Sequence, residues 1–257
     1  MKLIIFLIFI FTILIWGVFI EPNILTIKHL LVQNKELKGL KIVFASDFHI
    51  KPYEKNRLKR IIKLINEQNA DLVLLGGDYV SGHKRHTSMP IEKIAKEFSK
   101  INSEFGVVAV VGNHDGWYGK EEVIKNLEKN NIKVLFNSCE CFDKFCIAGV
   151  DDAQTGNADI EKALKNTQNK PTILLSHTPD IMTFVPYSVS LTLAGHLHGG
   201  QVRLNKALIV PSAYGEKYAN GFLEENGKKI YTTKGLGTSI LPVRFNCPPE
   251  IVVINFE

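Results

Sequence analysis

Residues 41–49 read Lys41-Ile42-Val43-Phe44-Ala45-Ser46-Asp47-Phe48-His49. Apolar residues in unbroken succession, with β-branched Ile42 and Val43 among them, describe a strand covered on both faces rather than one that alternates between core and solvent. The run stops at a carboxylate and an imidazole. The same arrangement recurs along the chain: residues 72–75 lead to Gly76-Gly77-Asp78, 107–111 to Gly112-Asn113-His114-Asp115, 172–176 to His177, and 191–194 to Gly195-His196-Leu197-His198. In α/β sheets the carboxyl ends of the strands form one rim, so these ends predict a single crevice built from positions up to about 150 residues apart. Most of the histidines stand there, leaving only His29, His83 and His86 elsewhere.

Between the strands lie helical patterns. Leu58, Ile61, Ile62 and Ile65 fall at i, i+3, i+4 and i+7, and Ile91, Ile94, Ala95 and Phe98 repeat the spacing. Further strands are expected at 145–150, 229–233 and 250–255. Strands with intervening helices, followed by a strand-rich end, predict an α/β fold in four layers, α/β/β/α, with sheet packed on sheet and helices outside. At 257 residues, 45% hydrophobic and 22% charged, the chain can bury a real core, which excludes disorder and low-complexity scaffolds. The net charge of +5 includes only five arginines, and the lysines are scattered among acids. That balance fits a membrane surface or a phosphorylated substrate as well as a polyanion, and nucleic acid is not expected. Cys139, Cys141, Cys146 and Cys247 are too few for a disulfide scaffold and lack paired C-x2-C spacing for zinc, so they read as plain thiols.

Residues 3–20 carry no charge. As a helix they would span about 27 Å, close to the hydrocarbon thickness of a bilayer. The exit, Val18-Phe19-Ile20-Glu21-Pro22, has no small residues for signal cleavage. The expectation is an uncleaved N-terminal transmembrane anchor at 1–21 followed by one catalytic domain at 22–257, with the membrane face and oligomeric state open.

The cluster of Asp47, His49, Asp78, Asn113, His177, His196 and His198 mixes nitrogen and oxygen donors without thiolate, a set suited to Mn, Zn, Fe or Co. It is too large for one ion. Two dications need a bridging carboxylate, for which Asp78 is placed, and two metals can clamp one phosphate. Any one of these residues alone reads as a structural histidine, a helix N-cap or a turn; all the strand ends together argue for a site. Arg85, in the basic loop at 83–86, and Arg203 are candidate substrate contacts, against a solvated loop and ordinary ion pairing; Arg244 is open between phosphate and an acid partner.

In its blocks D-x-H, G-D, G-N-H-D, H and G-H-x-H, in order from Asp47 to His198, the chain resembles the calcineurin-like metallophosphoesterases. Gly199-Gly200-Gln201, Gly235-Leu236-Gly237, Pro242-Val243-Arg244-Phe245 and Pro249-Glu250 are similar to the membrane-anchored bacterial branch of that family. Phe48 stands where the family often has Leu. The resemblance implies that Asp47, His49 and His198 hold one metal and Asn113, His177 and His196 the other, with Asp78 bridging. It makes His114 the group that protonates the leaving oxygen and Asp115 the carboxylate that orients it. Manganese is the first expectation for the metals. The implied activity is hydrolysis of a phosphodiester or diphosphate, such as the lipid-linked nucleotide UDP-2,3-diacylglucosamine in lipid A biosynthesis. The alternatives are a broad-specificity phosphodiesterase or nuclease, or a non-catalytic scaffold retaining the fold.

Overall fold

The computed structural model describes residues 1–82 and 84–257. An apolar helix α1 (Lys2–Ile15) continues through Trp16–Ile20 and Glu21–Asn23 in wider and tighter helical turns. Then follow β1 (Thr26–Val32), β2 (Lys41–Ala45), α2 (Lys55–Asn66), β3 (Leu72–Leu75), α3 (Ile91–Phe98), β4 (Val107–Ala109), α4 (Asn113–Lys129), β5 (Ile132–Val134) and β6 (Ser138–Cys141). The remainder comprises β7 (Cys146–Gly149), α5 (Ile160–Leu164), β8 (Thr172–Leu175), β9 (Val189–Ala194), β10 (Gly221–Glu225), β11 (Lys228–Thr232) and β12 (Glu250–Phe256). One sheet runs β1-β12-β2-β3-β4-β5 and the other β10-β11-β9-β8-β7-β6. Within each, the strands that carry the candidate site are parallel neighbours.

The unbroken apolar runs are explained by two different covers. Ile42 and Phe44 of β2, Leu72 and Leu74 of β3, and Val108 of β4 meet Ile173, Leu175, Leu191 and Leu193 of the other sheet. Their alternates Val43, Ala45, Val73, Leu75, Val107 and Ala109 face Leu58, Ile61 and Ile65 of α2 and Ile94 and Phe98 of α3. A third apolar layer covers the far face of the second sheet, where Leu174 and Ala194 pack with Ala163 of α5 and with Ile181 and Met182. The architecture is therefore four-layered, α/β/β/α, with the predicted helices in place.

Several elements are absent from the sequence reading. β1 lies at a sheet edge with half-exposed side chains, and β6 is a run of Ser, Cys and Glu, so neither shows an apolar pattern. The reading of all four cysteines as plain thiols is corrected for two. Cys141 and Cys146 stand opposite each other in the β6–β7 hairpin and are joined as a disulfide, whereas Cys139 and Cys247 are free. Without β6 the hairpin that pairs them was invisible.

Phe48 fastens the segment between Asp47 and His49 to the core. Its ring lies 4.9 Å from that of Phe98 and 5.8 Å from that of Tyr79. Replacing Phe98 by Ala should cost about 3–5 kcal/mol of stability through the cavity it leaves. Urea unfolding in mild detergent reads this directly, and a loss under about 1 kcal/mol would refute a packed role for the aromatic trio.

Candidate metal centre

The strand ends do converge. Asp47 follows β2, Asp78 follows β3 and Asn113 opens α4 after β4, while His177 and His196 follow β8 and β9 of the facing sheet. Asp47, His49, Asp78, His196 and His198 all adopt left-handed backbone conformations, with φ between 42° and 69°. Such torsions are uncommon for residues other than glycine and concentrate at functional sites, where the surrounding structure holds them. Glycines make the necessary room. A Cβ on Gly112 would stand 2.3 Å from Asp78 Oδ1, and one on Gly195 would stand 2.3 Å from Asp47 Oδ2.

Two groups of donors result. His49 Nε2 lies 3.1 Å from His198 Nε2, and His198 Nε2 lies 3.5 Å from Asp47 Oδ1. Asn113 Oδ1 lies 3.0 Å from both His177 Nε2 and His196 Nδ1, which are themselves 3.2 Å apart. Asp78 Oδ2 stands between the groups, 3.4 Å from His49 Nε2 and 3.3 Å from His177 Nε2. Donors about 2.1 Å from a common ion are separated from one another by roughly 3.0–3.4 Å, the spacing seen here. Asp47, His49 and His198 form one candidate cation group; Asp47 and Asp78 also fall together with His177.

The donor chemistry fits cations. His177 Nδ1 must donate to the Gly76 carbonyl at 2.9 Å, so the neutral ring turns a lone pair on Nε2 toward Asn113 Oδ1 and Asp78 Oδ2. Acceptors that face acceptors need a positive charge among them. Near His196, the Gln154 amide nitrogen lies 2.9 Å from Nε2. Turning that amide over places its oxygen there to accept from Nε2–H and frees the Nδ1 lone pair toward Asn113.

Burial sets the protonation of the cluster. It pushes His49 down to about 3, His196 to about 4 and His198 well below the usual imidazole value, in each case against the pull of Asp78. Burial would lower His177 too, but the adjoining Asp78 carboxylate raises it to about 10. Burial would raise Asp78, yet His177 and His49 hold it below the ordinary carboxylate range. Asp47 is pushed up to about 6 by burial, with Asp78 adding to the rise.

Asp115 has a different task from the one expected. Its oxygens accept from the backbone N–H groups of Asp78 (2.7 Å), Tyr79 (3.0 Å), Val80 (3.4 Å) and Gly112 (3.0 Å). It therefore ties the segment bearing Asp78 to the start of α4 and does not grip the His114 ring. His114 is half-buried; its N–H donates to Asp78 Oδ1 at 2.8 Å, and its ring packs 4.5 Å from His49 and 5.0 Å from Trp117.

Part of this cluster lines a cavity of about 390 Å³. Asp78, Asn113, His114, His196 and His198 form its floor, and Trp117, Leu197, Ile209, Pro211 and Ile240 form apolar walls. No Lys or Arg lines it among the described residues. Arg85 instead pairs with Glu122 and covers the Tyr118 ring. Arg203 donates to the Gly199 carbonyl at 2.9 Å. Arg244 is fully buried and donates to the carbonyls of Lys234, Gly235, Gly237 and Cys247. His83 lies outside the described residues. The sequence reading missed Gln154 and Ser239, whose Oγ is 3.4 Å from His114 Nε2. Gln154 stands beyond Asp151 and Asp152 after β7, so the rule applied to the other strand ends points to those carboxylates and passes it over.

Residues 40–200 match the family described as calcineurin-like phosphoesterase. A metallophosphoesterase of Bacillus subtilis is 33% identical over 254 residues, covering 93% of this chain and 88% of its own. A phosphodiesterase of Escherichia coli is 31% identical, with 84% and 81% covered. A transmembrane protein with a metallophosphoesterase domain from Danio rerio is 29% identical; the match takes in 86% of this chain and 54% of that protein.

A proton on His177 offsets the charge of the Asp78 carboxylate beside it. At pH 8 a chelator-treated chain holds it, because the ring titrates at about 10, while the other cluster imidazoles are neutral. Ligation through His177 must expel it, so loading with Mn should release about one proton per chain, and more as the pH falls through about 6, where Asp47 also holds one. Titration calorimetry in buffers of different ionisation enthalpy measures the release. A heat independent of buffer would contradict the assignment.

Proposed function

The chain belongs to the calcineurin-like phosphoesterase family, metal-dependent hydrolases of phosphoesters, and from that premise we propose how its own residues divide the work. Asp47, His49 and His198 would hold one divalent cation and Asn113, His177 and His196 a second, with the Asp78 carboxylate shared between the two groups. The observation that carries this reading is the pair of donor groups with Asp78 Oδ2 about equidistant from His49 and His177. When bound, the two cations supply positive charge for the phosphoryl oxygens and make a water acidic near neutral pH. Manganese suits the nitrogen and oxygen donor set, with Zn, Fe or Co as alternatives.

His114 stands at the edge of this cluster on the cavity floor, held through its backbone by Asp78 and beside Ser239. Its ring gives a proton to the leaving oxygen. The fixed backbone of Asp115 and Gly112 keeps His114 and Asn113 in register. The apolar walls exclude water from one side of the substrate and fit an alcohol or acyl portion better than a polyanionic strand, which needs a track of Lys and Arg.

The substrate is a phosphodiester or diphosphate, a reading supported by the name of the Escherichia coli relative. The helical span Lys2–Asn23 is long and apolar enough to cross a membrane. We take it as an anchor, in keeping with the name of the Danio rerio relative, and take the substrate to be lipid-linked, such as UDP-2,3-diacylglucosamine. A broad-specificity phosphodiesterase is the second reading, favoured by a cavity without a charged specificity contact among the described residues.

Replacing His114 by Ala should lower kcat about 10²- to 10⁴-fold while metal content is retained, whereas Asp78→Ala should lose both. Elemental analysis beside turnover of an aryl phosphodiester separates the two variants. A His114→Ala enzyme as fast as the parent would remove the acid assignment. Failure to release UMP from UDP-2,3-diacylglucosamine, with the aryl diester still cleaved, would leave the broad phosphodiesterase.

A further inference from the structure

The end of the apolar helix is bonded into the domain beside the cavity. The Arg244 N–H donates to the Gly17 carbonyl at 2.9 Å, and a Cβ on Gly17 would touch Val243 at 3.0 Å. Glu21, buried four residues later, accepts from the Trp16 indole at 2.7 Å and from the Cys247 N–H. Residue 17 precedes the end of the apolar run at Ile20, so whatever plane Ile20 occupies, residues 242–245 lie within about one helical turn of it.

Two loops share this attachment. The hairpin at 202–208 is closed by Leu208 N–H to the Val202 carbonyl (2.9 Å) and is held to the attachment by Arg203 N–H to the Phe245 carbonyl (2.9 Å). The loop at 239–241 is clamped to the base of that hairpin, where the Gln201 amide donates to the Ser239 carbonyl (2.8 Å) and accepts its N–H (2.7 Å). Both loops expose large apolar side chains: Leu204 is 74% exposed, Leu208 68%, Ile240 82% and Leu241 49%. Ile240 also has φ 61°, a costly torsion for a β-branched residue, and shows its side chain outward while lining the cavity mouth. Phe19 and Ile20 at the end of the helix are exposed as well.

We propose that the hairpin at 202–208 and the loop at 239–241 rest on the bilayer that the helix enters, so that the cavity holding His114 and His198 opens at the membrane surface. The occupant of this apolar face is lipid because the face is continuous, through direct hydrogen bonds, with the end of the span. Arg203 and Lys206 on the same hairpin suit anionic headgroups. A substrate carried in the interface then reaches the cluster past Ile240, Ile209 and Pro211. The inference rests on the helix being an anchor and deepens the lipid-linked reading.

The test uses the full chain in vesicles containing phospholipids brominated at mid-chain, with Leu204→Trp and Leu241→Trp measured against the native fluorescence. The added tryptophans should be quenched about twofold or more, whereas Tyr187→Trp, before the amino end of β9 and away from the site, should not. Quenching at 204 and 241 no greater than at 187 overturns the proposal. So does protection of these loops that appears only as protein concentration rises, which assigns the face to a second copy. Co-flotation with vesicles at alkaline pH reports the anchor separately, and UMP release from vesicle-embedded UDP-2,3-diacylglucosamine reports the substrate separately. Quenching without lipid turnover therefore leaves the docking face standing and removes only the lipid substrate.

Discussion

Two carboxylates and four imidazoles are packed together almost without solvent, and much of the domain is arranged to make that possible. Asp47 and Asp78 are buried in one cluster, and the charge of Asp78 disfavours that of Asp47. Burying charge is tolerable only where it is paired or bound to cations. The protein without metal meets this need with a proton on His177, and the donor spacing meets it with metal. Backbone geometry follows from the same demand. Five of the cluster residues accept left-handed torsions so that their side chains turn inward from strand ends, and glycines stand where a Cβ would collide with a carboxylate.

Support for this cluster comes from charged residues turned on backbone rather than on each other. Asp115 gathers four backbone N–H groups and so fixes the loop after β3 against the start of α4. Arg244 does the converse and gathers four carbonyls from the segments at 234–237 and 247. The fork of guanidinium donors can satisfy several carbonyls at once, which Lys could not do with its point charge. Since the Arg244 backbone also holds Gly17, one residue links the exit of the apolar helix to the loop behind Asp47 and His49. The membrane reading and the catalytic reading thus meet in the same few residues. The cavity walls agree with both, being apolar above a floor of donors.

The apolar runs of β2, β3, β4, β8 and β9 were legible because each strand is covered on both faces, and the helices of Leu58 and Ile94 were legible from their spacing. The strand-end residues Asp47, Asp78, Asn113, His177, His196 and His198 could be read as one group because parallel sheets put their carboxyl ends on one side. Edge strands such as β1 and β6 escaped the reading, since half-exposed and polar strands leave no apolar pattern. The pairing of Cys141 with Cys146 was hidden with β6.

The sequence by itself determined the layered fold, the order of the blocks and the chemistry of the donor set, because burial and ligand type are written in side-chain identity. Only the tertiary structure decided that the converging strand ends are divided between two sheets, that Asp115 and Arg244 serve the backbone, that Arg85 turns to Glu122, and that two apolar loops are tied to the end of the helix. Those outcomes depend on backbone amides and carbonyls, which every residue carries alike, and on which distant segments become neighbours.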